Sequence, residues 1–188
     1  MNKIILLLLF PIFLHAQNKD CEYDIEEKSD SITLKVLPQK LVHERIFGNK
    51  NEYLFFGLLN DDGVPLLNVQ QIQKSKDFIK TNCLNKSSKI IIQLLNGKII
   101  TLKSVNDEIC SELHFDSNEK NNVRILNGFF YFTKSNYEEL KNSPISIIRI
   151  QYVAESKDYV FTSQLTSETL KTTSKPSSYF IDYLYCIE

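Results

Sequence analysis

Tryptophan is absent from this chain, and methionine occurs once. Glycine and proline number only five each in 188 residues, which excludes a collagen-like, linker-like or low-complexity chain. Histidine occurs only at positions 15, 43 and 114, so little material exists for imidazole metal sites or general bases. No C-x-x-C pair is present, which removes the usual basis for a thioredoxin-like redox centre or a paired-cysteine zinc site. G-x-S-x-G, H-E-x-x-H, the P-loop and G-x-G-x-x-G are all missing. An excess of charge is missing too. The net charge is −1, which makes no electrostatic case for nucleic acid or an anionic membrane.

Long apolar runs are also scarce, and the longest stands at the start. Lys3 supplies a positive charge, Ile4 to Leu14 is apolar apart from Pro11, and His15-Ala16-Gln17 follows. A bilayer-spanning helix needs about 20 apolar residues, so this run is too short to span. It has the layout of a signal peptide cut after Ala16. Residues 1–16 are therefore read as a leader, and residues 17–188 as a single β-rich domain that is exported to the periplasm or secreted. Cleavage removes Lys3 and leaves a weakly acidic chain with no transmembrane segment. The length suits one ordinary domain, large enough to form a core without metal or disulfide, and a monomer is expected. Asn85-Lys86-Ser87 is a glycosylation sequon, relevant only in a eukaryotic secretory route.

What the chain does hold is aromatic and β-branched material: 12 Phe and 9 Tyr, which favours strands. The expected architecture is mostly β or α+β, an antiparallel sheet or sandwich with one or two short helices. Ser31–Leu37 alternates with Ile32, Leu34 and Val36 inward, and Leu41–Phe47 is a second strand. Glu52–Leu59 leads into Asp62-Gly63, a type I′ turn that pairs Leu59 with Leu66 and Phe56 with Val69. The hairpin Lys89–Ser104 turns at Asn96-Gly97, which places Ile92 opposite Thr101 and Ile91 opposite Leu102. With apolar residues on both faces, this pair belongs inside a sheet rather than at its edge. Asn127-Gly128 either turns a hairpin or marks a bulge in one long strand. Ser135–Lys141 reads as a helix with Ser135 as N-cap and Glu138 completing a capping box, stopped by Pro144. Ile145–Val153 and Asp158–Phe161 are strands. The tail after Pro176 reads as a helix with Phe180 and Leu184 on one face, with a strand as the alternative because the segment is rich in aromatics.

Four cysteines, Cys21, Cys83, Cys110 and Cys186, remain after cleavage. An even number in an exported chain points to two disulfides among three possible connectivities. If the Lys89–Ser104 ladder runs on outward, Cys83 comes opposite Cys110, within bridging distance; a break of register in Asn85–Ser88 is the alternative. Cys21 then pairs with Cys186 by elimination. Cys21 is thus a staple and not a lipid anchor, since Asn18-Lys19-Asp20 precede it in place of small residues.

Chemistry-bearing clusters are few. Glu112, His114 and Asp116 in ELHFD would share one face of a strand, where they could bind a divalent metal or pair an acid with a base. A solvated edge strand reads the same way. His43-Glu44 is a weaker pair. The acidic run Asp20, Glu22, Asp24, Glu26, Glu27, Asp30 lacks the looped array and turn glycine of a calcium site. Tyr131, Tyr137, Tyr152, Tyr159, Tyr179 and Tyr183 could line a groove for sugars or peptide, or simply pack in the core and its rim.

The leader ending FLHAQ, residues 13–17, resembles signal peptides of exported proteins from Bacteroidetes-type bacteria. The stretch YFTKSNYEELKNSPISIIRIQY, residues 131–152, resembles a segment of small uncharacterised exported proteins of that group. The resemblance brings no catalytic residues. Together these features favour a non-catalytic binding or interaction module of the cell envelope, without cofactor, whose partner is a protein, a peptide or an envelope component. A small hydrolase or metal-dependent enzyme, and an inhibitor of an exported enzyme, are the alternatives.

Overall fold

The computed structural model describes residues 20–29 and 32–188. The expected leader at residues 1–16 lies outside them, as do Asp30 and Ser31. The molecule is mostly β, with one large antiparallel sheet and two short helices.

Strands form where aromatic and β-branched residues cluster. The acidic N-terminal run becomes an exposed edge strand, β1 (Ile25–Lys28), paired with β2 (Thr33–Val36). β3 (Lys40–Phe47), β4 (Lys50–Asp61) and β5 (Val64–Ser75) follow as a meander. A two-stranded piece, β6 (Cys83–Leu84) with β9 (Ile109–Cys110), brackets the hairpin of β7 (Lys89–Leu94) and β8 (Ile99–Ser104). β10 (Glu112–Asp116) turns back into the long β11 (Asn121–Tyr131). Helix α1 (Lys134–Asn142) leads to β12 (Ile145–Gln151) and β13 (Ser156–Val160). A small hairpin of β14 (Leu165–Thr166) and β15 (Thr173–Ser174) precedes α2 (Tyr179–Tyr183), which is flanked by 3-10 turns at Pro176–Ser178 and Leu184–Ile187.

The sheet runs β1-β2-β4-β5-β11-β8-β7-β12-β13, with β3 alongside β4 and β10 alongside β11. It curls until β13 lies over β4 and β5: the Tyr159 hydroxyl donates to Glu52 at 3.0 Å. The concave side holds one hydrophobic cluster that includes Leu54, Phe56, Leu67, Ile90, Ile92, Leu102, Ile148 and Tyr159. Phe180 and Leu184 from the C-terminal helix complete it, Phe180 packing against Phe56 and Phe132. Both bridges form: Cys21 with Cys186 (Cα separation 5.7 Å) and Cys83 with Cys110 (4.0 Å). Two bridges fit an oxidising compartment. No described helix is long and apolar enough to cross a membrane.

Much of the expected pairing is present. Asp62 and Gly63 both have positive φ, as the I′ turn requires, and Leu59 faces Leu66 while Phe56 faces Val69. The β7–β8 pair does sit inside the sheet. Its register, however, is one residue away from the expected one. Ile92 faces Ile100 and Ile91 faces Thr101. The loop is Leu95-Asn96-Gly97, with only Gly97 at positive φ and Leu94 N–H bonded to the Lys98 carbonyl. Leu95 N–H donates to the Pro144 carbonyl and Asn96 N–H to the Ser143 hydroxyl, so the neighbouring α1–β12 corner sets the turn. A one-residue slip changes faces, and here it puts Ile90, Ile92, Ile100 and Leu102 together in the core. The cysteines still meet because the run Ser104–Glu108 on one side is a residue longer than Asn85–Ser88 on the other, which restores the pairing of Cys83 with Cys110.

Three further expectations are corrected. The N-cap of α1 is Thr133, not Ser135, and its side chain makes no capping bond; Glu138 pairs with Lys141 at 2.9 Å instead. Asn127-Gly128 is neither hairpin nor bulge, since β11 stays in register with β5 throughout. Gly128 is needed for space: a Cβ there would lie 2.3 Å from Leu84 Cδ1. Ile32 is exposed, because β2 pairs with β4 only at its far end, Leu59–Asp61.

Candidate functional site

The ELHFD residues do occupy a strand, β10, on the exposed flank of β11. His114 Nε2 lies 3.4 Å from Glu112 Oε2. Asp116 is engaged elsewhere. Its Oδ1 accepts from the amides of Asn118 (2.9 Å) and Glu119 (3.2 Å), closing the β10–β11 turn. Among the described residues no group of three or more His, Cys, Asp or Glu could hold a metal ion. His43 and Glu44 point to opposite faces, as neighbours on a strand must. His43 meets the Tyr159 ring edge-on at 5.1 Å. Glu44 instead receives the Ser167 hydroxyl and the amides of Glu168 and Thr169, fastening the segment between β13 and α2 onto β3.

The six tyrosines do not form one groove. Tyr152, Tyr159 and Tyr179 are buried in the core. Tyr179 and Tyr183, with Tyr185, line a groove of about 570 Å³ beside the Cys21–Cys186 bridge. Its charged lining is mixed: Asp20, Glu22 and Asp182 with Lys40 and Lys175.

A second cleft, of about 390 Å³, opens where β3, β4, β5 and β11 end together. Paired residues across antiparallel strands share a face, so two rows of side chains cross this end. One is Phe47, Lys50, Ser75, Asn122 and Phe115. The next row inward is Arg45, Glu52, Gln73, Arg124 and Leu113. Phe47 is 74% exposed and Phe78, in the loop after β5, is 78% exposed. Both line the cleft, with Arg45, Lys50, Lys74, Lys80 and Lys157 around them. The Phe78 loop is held from both sides of that residue. Asn122 Nδ2 donates to the Asp77 carbonyl at 3.2 Å, and Arg124 Nε donates to the Ile79 carbonyl at 2.7 Å. Ile79 is buried, so the backbone is pinned with Phe78 facing water.

The floor of the cleft is a closed polar network. Glu52 Oε1 accepts from Gln71 (2.9 Å) and Tyr159 (3.0 Å), and Lys157 donates to Oε2. Gln71 also donates to the Tyr159 hydroxyl at 2.9 Å and accepts from Asn82 at 3.2 Å. Burial alone would raise the Glu52 pKa, but the Lys157 ammonium and these hydrogen bonds outweigh it and hold the carboxyl below its ordinary value. The Tyr159 phenol is pushed well up by burial and by Tyr152 and Glu52, so it remains a donor. An ionised carboxylate held by three donors is poorly set up to lend or take a proton. The arrangement is suited to holding the mouth rigid and polar beneath an aromatic and cationic rim. Sequence pattern did not single out Phe47, Phe78 or Arg45. The available signal was an aromatic beside turn residues and lysines, in Phe47-Gly48-Asn49-Lys50 and in Lys76-Asp77-Phe78-Ile79-Lys80. Compared with known proteins, the chain matches no protein-family model, no curated protein and no solved structure.

Proposed function

We propose that this chain is an exported, non-catalytic binding module of the cell envelope, and that its partner contacts the mouth formed by β3, β4, β5 and β11. The observation that carries this reading is the pair of phenylalanines held in water at a rigid, cationic opening. A group of exposed apolar side chains rimmed by polar and charged residues marks an interaction site. The two disulfides and the leader-like first 16 residues support export across a membrane.

The test is co-sedimentation of residues 17–188 with a washed envelope preparation from a Gram-negative bacterium. The wild-type chain is expected to pellet with the envelope, and a Phe47→Ala/Phe78→Ala variant to stay in the supernatant. Equal pelleting of both proteins would reject the mouth as the contact surface.

A further inference from the structure

We infer that the envelope component met by this end of the molecule is the surface of an anionic lipid bilayer. This rests on the reading of the mouth as the contact surface and names what it touches. Three separate turns project at the same end of the sheet, because β3 and β10 finish there, β5 finishes there, and β4 and β11 begin there. Each has one exposed phenylalanine at it: Phe47 at the end of β3, Phe78 after β5, and Phe115 at 65% exposure beside the β10–β11 turn. Leu113, half exposed, shares the face of Phe115. Four strand spacings separate Phe47 from Phe115, about 19 Å at 4.8 Å per strand. The apolar contacts are therefore spread across the five strands that meet at this end, as a planar partner requires, and are not gathered into one hole.

The cations lie among them. Arg45, Lys50, Lys74, Lys76, Lys80 and Lys120 sit on the same turns and strand ends. The carboxylates here are Glu52, paired with Lys157, Glu112, beside His114, and Asp77, Asp116, Glu119 and Glu155. Asp77 accepts from Asn49 (2.8 Å), Asp116 closes its turn, Glu119 pairs with Lys74 (3.2 Å) and Glu155 pairs with Lys80 (2.7 Å). Arg45, Lys50, Lys76 and Lys120 make no ion pair among the described residues, and the end keeps an excess of positive charge. The opposite end of β4 carries Asp61 and Asp62, and β2 and β1, where Glu26 and Glu27 stand with Lys28 and Lys35 beside the upstream Asp20, Glu22 and Asp24. The molecule is thus polarised, acidic at one end and cationic with phenylalanines at the other. Phe and Leu inserted at headgroup depth, with Lys and Arg on anionic headgroups, is the composition of interfacial membrane binding.

The test uses residues 17–188 and large unilamellar vesicles, one set of phosphatidylcholine alone and one with about 30% phosphatidylglycerol. Binding is expected to be about tenfold tighter to the anionic set and to weaken sharply in about 0.5 M salt. Phe78→Ala and Phe115→Ala should each weaken it several-fold, and Lys50→Glu/Lys76→Glu should bring it to the level of neutral vesicles. Both phenylalanines are exposed, so unchanged thermal unfolding of these variants will show that the fold is intact. Equal binding to the two vesicle sets, or unchanged binding by the phenylalanine variants, would overturn the inference. Envelope sedimentation that needs Phe47 and Phe78 while vesicles bind no protein would overturn the lipid assignment and leave the contact surface standing. Loss of neither would reject both.

Discussion

Glu52 shows how one residue changes meaning between sequence and structure. In EYLFFGLL it is the polar start of an apolar strand. In the fold it is a buried carboxylate shared by β4, β5 and β13. Removing its counter-charge leaves a buried anion uncompensated, so Lys157→Met should lower stability by about 3 kcal/mol, measured by urea unfolding. Tyr159→Phe, which removes one hydrogen-bond donor, should cost about 1–3 kcal/mol. Gly128→Ala forces Leu84 to move and should cost a similar amount through overpacking. His43 makes a pH prediction. Burial first, then Lys157 and Arg45, hold its imidazole below the ordinary value of 6.5, against the opposing pull of Glu52. The unfolded chain takes up this proton near 6.5 and the folded chain does not. Stability from this group is therefore complete above 6.5 and is lost as pH falls below that value toward the folded pKa. A His43→Phe variant should show a flatter fall in Tm across that window. Glu52 acts on a lower window. Its contribution is present above the ordinary carboxyl value and lost as pH drops through its depressed folded value.

At the scale of elements, the segment between β13 and α2 depends on a few points of attachment. Glu44 takes three hydrogen bonds from it, Tyr53 meets Thr169 at 3.0 Å, and Ser174 donates to the Leu41 carbonyl at 2.6 Å. Glu44→Ala should raise hydrogen exchange at Glu168 and Thr169 by about tenfold or more, as a local opening, with the Glu52 region unchanged. An equal rise throughout the protein would mean that the attachment is global. The β4–β5 hairpin was legible in the sequence because Asp62-Gly63 has a conformational demand that few residue pairs satisfy. The β7–β8 hairpin was legible as an element but not in register. Its turn answers to Pro144 and Ser143, which are distant in sequence. Gly128 was likewise ambiguous. Its reason is Leu84 overhead, and no local pattern reports a neighbour so far away along the chain.

For the molecule as a whole, the two bridges close loops of very different size. The Cys21–Cys186 bridge spans 165 positions and Cys83–Cys110 spans 27. If loop-closure entropy sets the gain, they contribute about 5 and about 3.5 kcal/mol. A Cys21→Ser/Cys186→Ser protein should therefore lose more stability in urea than Cys83→Ser/Cys110→Ser. The same scale explains what net charge concealed. A total of −1 argued against an anionic membrane, but a total is blind to position. The sheet collects lysines and phenylalanines from three turns at one end and leaves the acidic run at the other. Composition and local pattern alone determined the β-rich class and most strands, because these follow from short-range periodicity and turn chemistry; an even count of thiols pointed to two bridges, but their pairing was settled by the unequal segments Asn85–Ser88 and Ser104–Glu108 in the fold. Only the tertiary structure decided that Glu52, Gln71, Tyr159 and Lys157 meet, that His114 lies beside Glu112 while Asp116 closes the β10–β11 turn, and that Phe47, Phe78 and Phe115 share one end of the sheet. Those outcomes depend on strand order and on the curl of the sheet. A contact such as Glu52 with Tyr159, 107 positions apart, leaves no mark on local sequence.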